Sequence, residues 1–348
     1  MANYYDIKGQ KVQNLATDPS PVAEGQLWYN TTSNTAKFQS VTGASAWSSG
    51  GNRNNAVDST PGGGGVNTDA ISFGGYQPPS SPAPIPSGGT GYSALSESYD
   101  GSAWTVTNPL NNGRSGVVGF GATASTTIAA NGYADSPGGV FYLNATESFN
   151  GSVWTSLNNS NVNKEGATGC GLQAAGFATT GAQPNGAGNE SGGTETWDGT
   201  CWTVANPAPF GTARAGCAGT SGGSVIAGGQ SGYPDSKLST AADWDGTNWT
   251  SANSLPGTRN FISMTNSPIS AAVLFGGSEG SATPYNQNLN YDGTNWSTGA
   301  SMARSPAGNA GASGNGTGLL AVAGGGYRTI TEEFVPAGAA TTKTLTTS

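Results

Sequence analysis

The chain has 348 residues, a formal net charge of −8 and a pI near 4.4, with 57 glycines, few charged residues and no histidine. The missing histidine excludes Ser-His-Asp and Cys-His nucleophilic sites, imidazole acid–base work and most zinc and copper centres. An acidic chain whose few cations form no stripe is not built for nucleic acid or anionic membrane, and no apolar run is long enough for a spanning helix or a signal-peptide core.

Residues 1–46 stand outside the pattern that fills the rest of the chain. Leu27–Asn30 (LWYN), a polar turn over Thr31–Thr35, and Ala36–Gln39 (AKFQ) read as a hairpin. Two stretches, Gly9–Pro19 (GQKVQNLATDP) and Glu24–Thr31 (EGQLWYNT), resemble the opening of bacteriophage tail-fibre and appendage proteins. That resemblance implies a virion protein. Its N-terminal part would dock onto other virion proteins, with Tyr4, Tyr5, Trp28 and Tyr29 as the docking aromatics, and its C-terminal part would face outward, toward a host-surface glycan or receptor.

From Trp47 onward the chain repeats. Trp47, Trp104, Trp154, Trp202, Trp249 and Trp296 are spaced by 57, 50, 48, 47 and 47 residues, a period that marks a repeat architecture. Five of them close one motif: YDGSAW (Tyr99–Trp104), FNGSVW (Phe149–Trp154), WDGTCW (Trp197–Trp202), WDGTNW (Trp244–Trp249) and YDGTNW (Tyr291–Trp296). Asp-Gly or Asn-Gly between aromatic ends predicts a tight type I′ hairpin, with the tryptophans as packing pegs. Glycine-rich elements follow short apolar runs at ISFGGY (Ile71–Tyr76), VIAGGQ (Val225–Gln230), VLFGGS (Val273–Ser278) and AVAGGGY (Ala321–Tyr327), weakened to Asn131-Gly132 and Thr180-Gly181 in two units. A cation past each tryptophan (Arg53, Arg114, Lys164, Arg214, Arg259, Arg304) reads as one shared repeat position.

One unit thus runs cation, small-residue strand, apolar strand ending in Gly-Gly, aromatic strand, turn, Trp strand. Four short strands per unit predict a propeller blade. The order resembles the Kelch repeat, which implies an all-β Kelch-like β-propeller of six four-stranded blades over residues 47–348, with residues 1–46 as a small hairpin segment. Seven blades would require that hairpin to build one. Phe334 has no tryptophan motif after it, so the tail Thr341–Ser348 is a candidate for the last blade's outer strand, with Trp47 leading into blade one or helping to close the ring.

Two loops break the period. Gln77–Ser96 is proline-rich and contains Tyr92, and Asp135–Asn144 carries Phe141 and Tyr142. These three aromatics are the candidate binding residues. Cys170, Cys201 and Cys217 are odd in number and far apart in sequence, so they predict neither a metal site nor a disulfide framework. Most acids have repeat-level explanations: Asp100, Asp198, Asp245 and Asp292 lie in turns, and Glu97, Glu147, Glu195 and Glu332 sit two residues before the recurring aromatic. Glu165 and Glu333 fall outside that scheme. The expectation is therefore a non-enzymatic virion component for host attachment or particle decoration, with no cofactor and no catalytic residue. The alternative is a carbohydrate-active propeller enzyme, which would need two carboxylates facing one cleft.

Overall fold

A computed structural model describes residues 12–20, 26–39, 45–57, 62–77, 91–136, 139–184, 190–232, 236–265, 268–278, 286–303, 311–314, 319–322, 329–335 and 342–344. The chain divides into two compact units, Ala46–Val335 and a smaller one formed by Met1–Ser45 with Pro336–Ser348.

The larger unit is a β-propeller of six four-stranded antiparallel sheets. Blade one runs from an inner strand Gly62–Val66 through Asp69–Phe73 and Ser96–Tyr99 to an outer strand Trp104–Thr107. Blades two to five repeat that order from inner strands Val118–Phe120, Thr168–Leu172, Gly216–Thr220 and Ser263–Met264 to outer strands Trp154–Ser156, Trp202–Ala205, Trp249–Ala252 and Trp296–Thr298. Blade six takes Gly311–Gly314, Leu319–Val322 and Thr331–Val335 from the chain's end, and its outer strand, Ala46–Ser49, from near the beginning. Consecutive inner strands neighbour each other, blade six against blade one included, so the ring closes.

This closure differs from one sequence expectation. Trp47 pairs with Phe334 in the register that pairs each hairpin tryptophan with its aromatic, so the outer edge of Thr331–Val335 is already taken. The tail goes elsewhere: Thr342–Thr344 pairs with Thr35–Gln39, which pairs with Leu27–Asn30, itself parallel to Gln13–Leu15. The N-terminal hairpin therefore contributes to a separate four-stranded sheet, not to a seventh blade.

The tryptophans hold blade to blade. Trp104, Trp154 and Trp202 are buried, and each Nε1 donates to a hydroxyl on the third strand of the preceding blade: Thr331 at 2.9 Å, Ser96 at 3.0 Å and Thr146 at 2.9 Å. Trp249 does the same to Thr194 at 3.2 Å. Burying an indole without a partner for its N–H forfeits about 1–3 kcal/mol, so a Ser or Thr at this place matches every tryptophan that uses it. Two further links join neighbouring blades through phenols. The Tyr99 hydroxyl donates to Glu333, and burial with that carboxylate pushes it up to about 12. The Tyr291 hydroxyl donates to Asp243 at 3.0 Å, and burial raises the pKa of both partners.

The hairpin turns are not of type I′. Four residues separate the paired aromatics, and only the glycine takes positive φ, +95° at Gly101 and +94° at Gly199. The acid does its work through its side chain: Asp198 Oδ1 accepts the N–H groups of Thr200 at 2.8 Å and Cys201 at 2.7 Å. Asn150 does this equally well in blade two, at 2.9 Å to both Ser152 and Val153, because the turn needs only a carbonyl-type oxygen. The backbone N–H groups hold the Asp198, Asp245 and Asp292 carboxyls below their ordinary range, and Asp100 is lowered by Ala103 N–H and the Ser102 side chain.

The Gly-Gly elements supply two successive left-handed residues, Gly74 and Gly75 at +71° and +96° or Gly228 and Gly229 at +67° and +91°. Blades two and three keep the same backbone with Asn131 at +58° and Thr180 at +59° in the first place. The second place stays glycine there, at +114° for Gly132 and +100° for Gly181, beyond the φ that other residues tolerate.

The cations do not all share one repeat position. The backbone N–H groups of Arg53, Leu110, Ser160, Ala208, Leu255 and Met302 make equivalent bonds to the preceding blade, which aligns the units. Four residues on from these come Val57, Arg114, Lys164, Thr212 and Arg259, so Arg53 lies four places early and Arg214 two places late. Arg304 lies outside the described residues. Arg114 and Lys164 reach the buried Glu147 and Glu195 of their own blades at 2.6 and 3.4 Å, and Arg259 donates to Gln287 O at 2.9 Å. Arg53 arrives from the displaced position yet lies 3.6 Å from the buried Glu97, its pKa pushed down to about 10 by burial. Spacing alone could not resolve a shift of two to four residues within a 48-residue period.

Candidate functional site

The hairpin turns lie at one end of the blades, so the loops between second and third strands gather at the other. There the structure assembles a band of partly exposed side chains across blades one to five. In blade two Asp135–Asn144 is not a loop. Thr127–Ser136 and Gly139–Phe149 extend as a long ribbon, with a bulge between Ala130 and Gly132 and with Tyr133 paired to Tyr142 and Ala134 to Phe141. The run Val140-Phe141-Tyr142-Leu143, rich in β-branched and aromatic residues, suits a strand, where the break in the repeat period suggested a loop.

Tyr92 and Tyr142 are joined into one row by Tyr133, and Tyr76 extends the row beyond Tyr92; the sequence singled out neither of these two. Tyr76 packs edge-on against Tyr92, Tyr92 against Tyr133 and Tyr133 against Tyr142, with centroids 5.3, 5.3 and 5.5 Å apart. Phe141, adjacent in a strand and so on the other face, is 46% exposed and does not join the row. Most of the proline-rich loop lies outside the described residues.

Next along the band come charged groups. Glu165 and Glu190 each form an antiparallel bridge to Ala182, from opposite sides. Residues directly opposite across such bridges share a face, so the two carboxylates flank one methyl group, with their backbones about 10 Å apart. Arg214 Nη2 lies 3.1 Å from Glu165 Oε1, and its guanidinium stacks on the Phe261 ring at 4.7 Å. Glu190 Oε2 accepts the Gly232 N–H at 2.9 Å. Asn260 Nδ2 donates to Gln230 Oε1 at 2.6 Å, and Ser278 Oγ donates to Asn260 Oδ1 at 2.9 Å. Tyr142 borders this group: burial raises its hydroxyl pKa, and Glu165 and Glu190 push the same way against Arg214.

Arg214 and Phe261 hold an unusual backbone. Aligned on the bridges Ser115–Tyr133, Glu165–Ala182, Ala213–Gln230 and Asn260–Ser278, the next residue is Gly116, Gly166, Arg214 and Phe261, at φ +59°, +60°, +58° and +53°. Gly166 N–H bonds to Gly116 O at 3.2 Å and Arg214 N–H to Gly166 O at 2.7 Å, so the position passes from blade to blade. A residue with a side chain costs about 1–2 kcal/mol more than glycine in that conformation. Two adjacent blades accept that cost, and their side chains meet.

The remaining sequence candidates fall outside this band. Tyr4 and Tyr5 lie outside the described residues. Trp28 is buried and its Nε1 donates to Asp18 Oδ1 at 3.0 Å, while Tyr29 bonds through its hydroxyl to Asn34. Asp18 also takes Lys37 at 2.8 Å and Asn30 at 2.7 Å, contacts that pull its pKa down to about 2, with Lys37 the strongest. Glu97, Glu147, Glu195 and Glu332 are buried, and each accepts a backbone N–H from the loop leading into its blade. Glu190 is the acid that sequence reading missed. The available signal was an acid in a loop between second and third strands, away from turn and ion-pair positions. Among the described residues no group of Cys, Asp and Glu could hold a metal ion, and no helix is long and apolar enough to cross a membrane.

No family model and no curated protein matches the sequence. Among solved structures, that of YjhT is similar, with a TM-score of 0.64 over 85% of this chain and 99% of its own at 13% identity. At that identity the likeness shows the fold alone, a Kelch-like β-propeller.

Proposed function

We propose that the chain is a non-enzymatic component of a bacteriophage virion, of the tail-fibre or appendage kind. Residues 1–46 engage other virion proteins, and the propeller presents its band of tyrosines and charged groups for attachment to a host-surface glycan or for decoration of the particle. The observation that carries this reading is the division of labour among the acids. The turn aspartates and the buried glutamates serve the fold, and what remains on the loop end is an aromatic, polar surface suited to binding. The tail-fibre-like motifs of the N-terminal segment and its separate sheet support the docking half. Mass spectrometry of particles purified from a lysate of the producing cells tests it: the chain is expected among the structural proteins, and its absence refutes the reading.

Glu165 and Glu190 favour a second reading, a carbohydrate-active enzyme. Carboxylates on either side of a cleft are what glycoside hydrolysis requires. Release of reducing ends from host surface polysaccharide, lost in both Glu165→Gln and Glu190→Gln, would favour the enzyme over the attachment protein.

A further inference from the structure

Arg214 and Phe261 replace glycine at a left-handed position where blades two and three keep it, and they do so side by side. Strain retained at two contacting residues on a loop surface is the pattern that functional sites show. Neither residue is needed for the ring to close, since Gly116 and Gly166 make the same turn.

We propose that Glu165, Glu190, Arg214 and Phe261, with Ala182 as floor and Tyr142 at the rim, form a binding subsite for one uncharged sugar ring of a surface saccharide. This rests on the attachment reading and names its ligand class. The chemistry follows from the groups present. A sugar ring offers hydroxyls in its plane and C–H groups on its faces. The carboxylates of Glu165 and Glu190 accept hydroxyls from two sides, the guanidinium of Arg214 donates to their oxygens with its planar fork, and the aromatic rings take a C–H face. Ala182 leaves open the space that a larger residue would fill. Two carboxylates against one guanidinium leave the subsite negative within a chain of charge −8, which repels sialylated or uronic-acid saccharides. The tyrosine row continues from Tyr142 through Tyr133 and Tyr92 to Tyr76, giving further units of the same chain a track to lie on.

The test is an array of immobilised neutral, amino and acidic oligosaccharides probed with fluorescently labelled full-length protein. Wild type is expected to bind neutral members. The double variant Arg214→Gly/Phe261→Gly is expected to lose at least roughly tenfold in affinity for them, while its thermal midpoint stays level or rises by about 1–3 °C as strain is relieved. Ala182→Tyr is expected to abolish binding by filling the floor while every charged side chain of the subsite is retained. A fall in midpoint of several degrees for the double variant shows that the two residues serve the fold and overturns the inference. Undiminished binding by either variant moves the site elsewhere but leaves attachment standing. Preference for acidic or amino sugars overturns the ligand class, and wild-type binding to no saccharide overturns it too, whatever virion mass spectrometry shows of the particle role.

Discussion

Replacing Glu147 by alanine asks how much of blade two rests on its buried ion pair. Arg114 Nη1 lies 2.6 Å from Glu147 Oε1, with both side chains almost fully buried. Glu147 Oε2 also accepts from Asn111 N and Nδ2, each at 2.8 Å, but Asn111 is exposed and water replaces that acceptor at little cost. The loss comes from Arg114. A guanidinium left buried and unpaired costs about 3–5 kcal/mol. Glu147→Gln keeps a carbonyl oxygen for Arg114 and is expected to cost roughly half as much. Blade four shows the way back: Thr212 occupies the cation position and Ala242 the glutamate position, both buried, and the blade forms with neither charge. The double variant Arg114→Thr/Glu147→Ala is therefore expected to be more stable than Glu147→Ala alone by about 1–3 kcal/mol. Urea unfolding followed by tryptophan fluorescence reads all three variants. A cost below about 1 kcal/mol for Glu147→Ala, or a double variant weaker than the single, refutes the argument.

Thr146→Val and Trp202→Phe each break the 2.9 Å Trp202 Nε1 to Thr146 Oγ1 bond; each is expected to cost about 1–2 kcal/mol, and the pair together less than the sum in the same urea assay. The turn aspartates have depressed folded pKa values, so their stabilisation is full above the unfolded value near about pH 4 and lost as pH falls through the folded one. Changing Asp100, Asp198, Asp245 and Asp292 to Asn keeps the turn oxygens but removes the charge, so it is expected to lower the thermal midpoint at pH 7 and to flatten its fall below pH 4, where variant and wild type converge. Cys170 and Cys217 have their sulfurs 3.0 Å apart on neighbouring inner strands, 47 residues apart in sequence. Burial holds the Cys217 thiol well above its usual range, so diamide is expected to oxidise the pair slowly, joining the sulfurs as each loses a proton while the azo compound is reduced to its hydrazine. The readouts are a peptide linking the two cysteines and a gain of about 4 kcal/mol in urea unfolding. Deleting residues 336–348 is expected to leave the propeller's unfolding midpoint intact, whereas deleting residues 1–50 removes the outer strand of blade six and is expected to lower it by several degrees.

The blade plan was legible because packing repeats. Every outer strand needs a ring to pair with the aromatic across its turn, so Tyr99–Trp104 and its four counterparts announce themselves at a fixed distance. The closing pair, Trp47–Phe334, could not be read that way. Its members are at opposite ends of the chain, and nothing local distinguishes a strand that joins blade six from one that leads into blade one. The cysteine pair was hidden for the same reason: Cys170 and Cys217 are one period apart, and a period is the separation that puts two inner-strand residues side by side. Distance in sequence argued against contact where the repeat in fact produced it.

The site was less legible than the fold because it is made of departures from the repeat. Counting cations at a loose period places Arg214 with Arg114 and Lys164 and explains it as structural. The bridge alignment moves it two residues, off the ion-pair position and onto the left-handed one, where its blade has no need of it. The same alignment strips Phe261 of a core role and sets it against the guanidinium. Glu165 follows the same logic, since it occupies a bridge position that Ser115, Ala213 or Asn260 fills elsewhere with a smaller group, and Glu190 stands across Ala182 where the neighbouring blades carry Tyr142 and Lys237. A repeat protein specifies its scaffold through what its units share. What it recognises must then come from positions where one unit differs from the rest at some cost to itself, and Arg214 and Phe261, strained where glycine would be at ease, meet that description among the described residues.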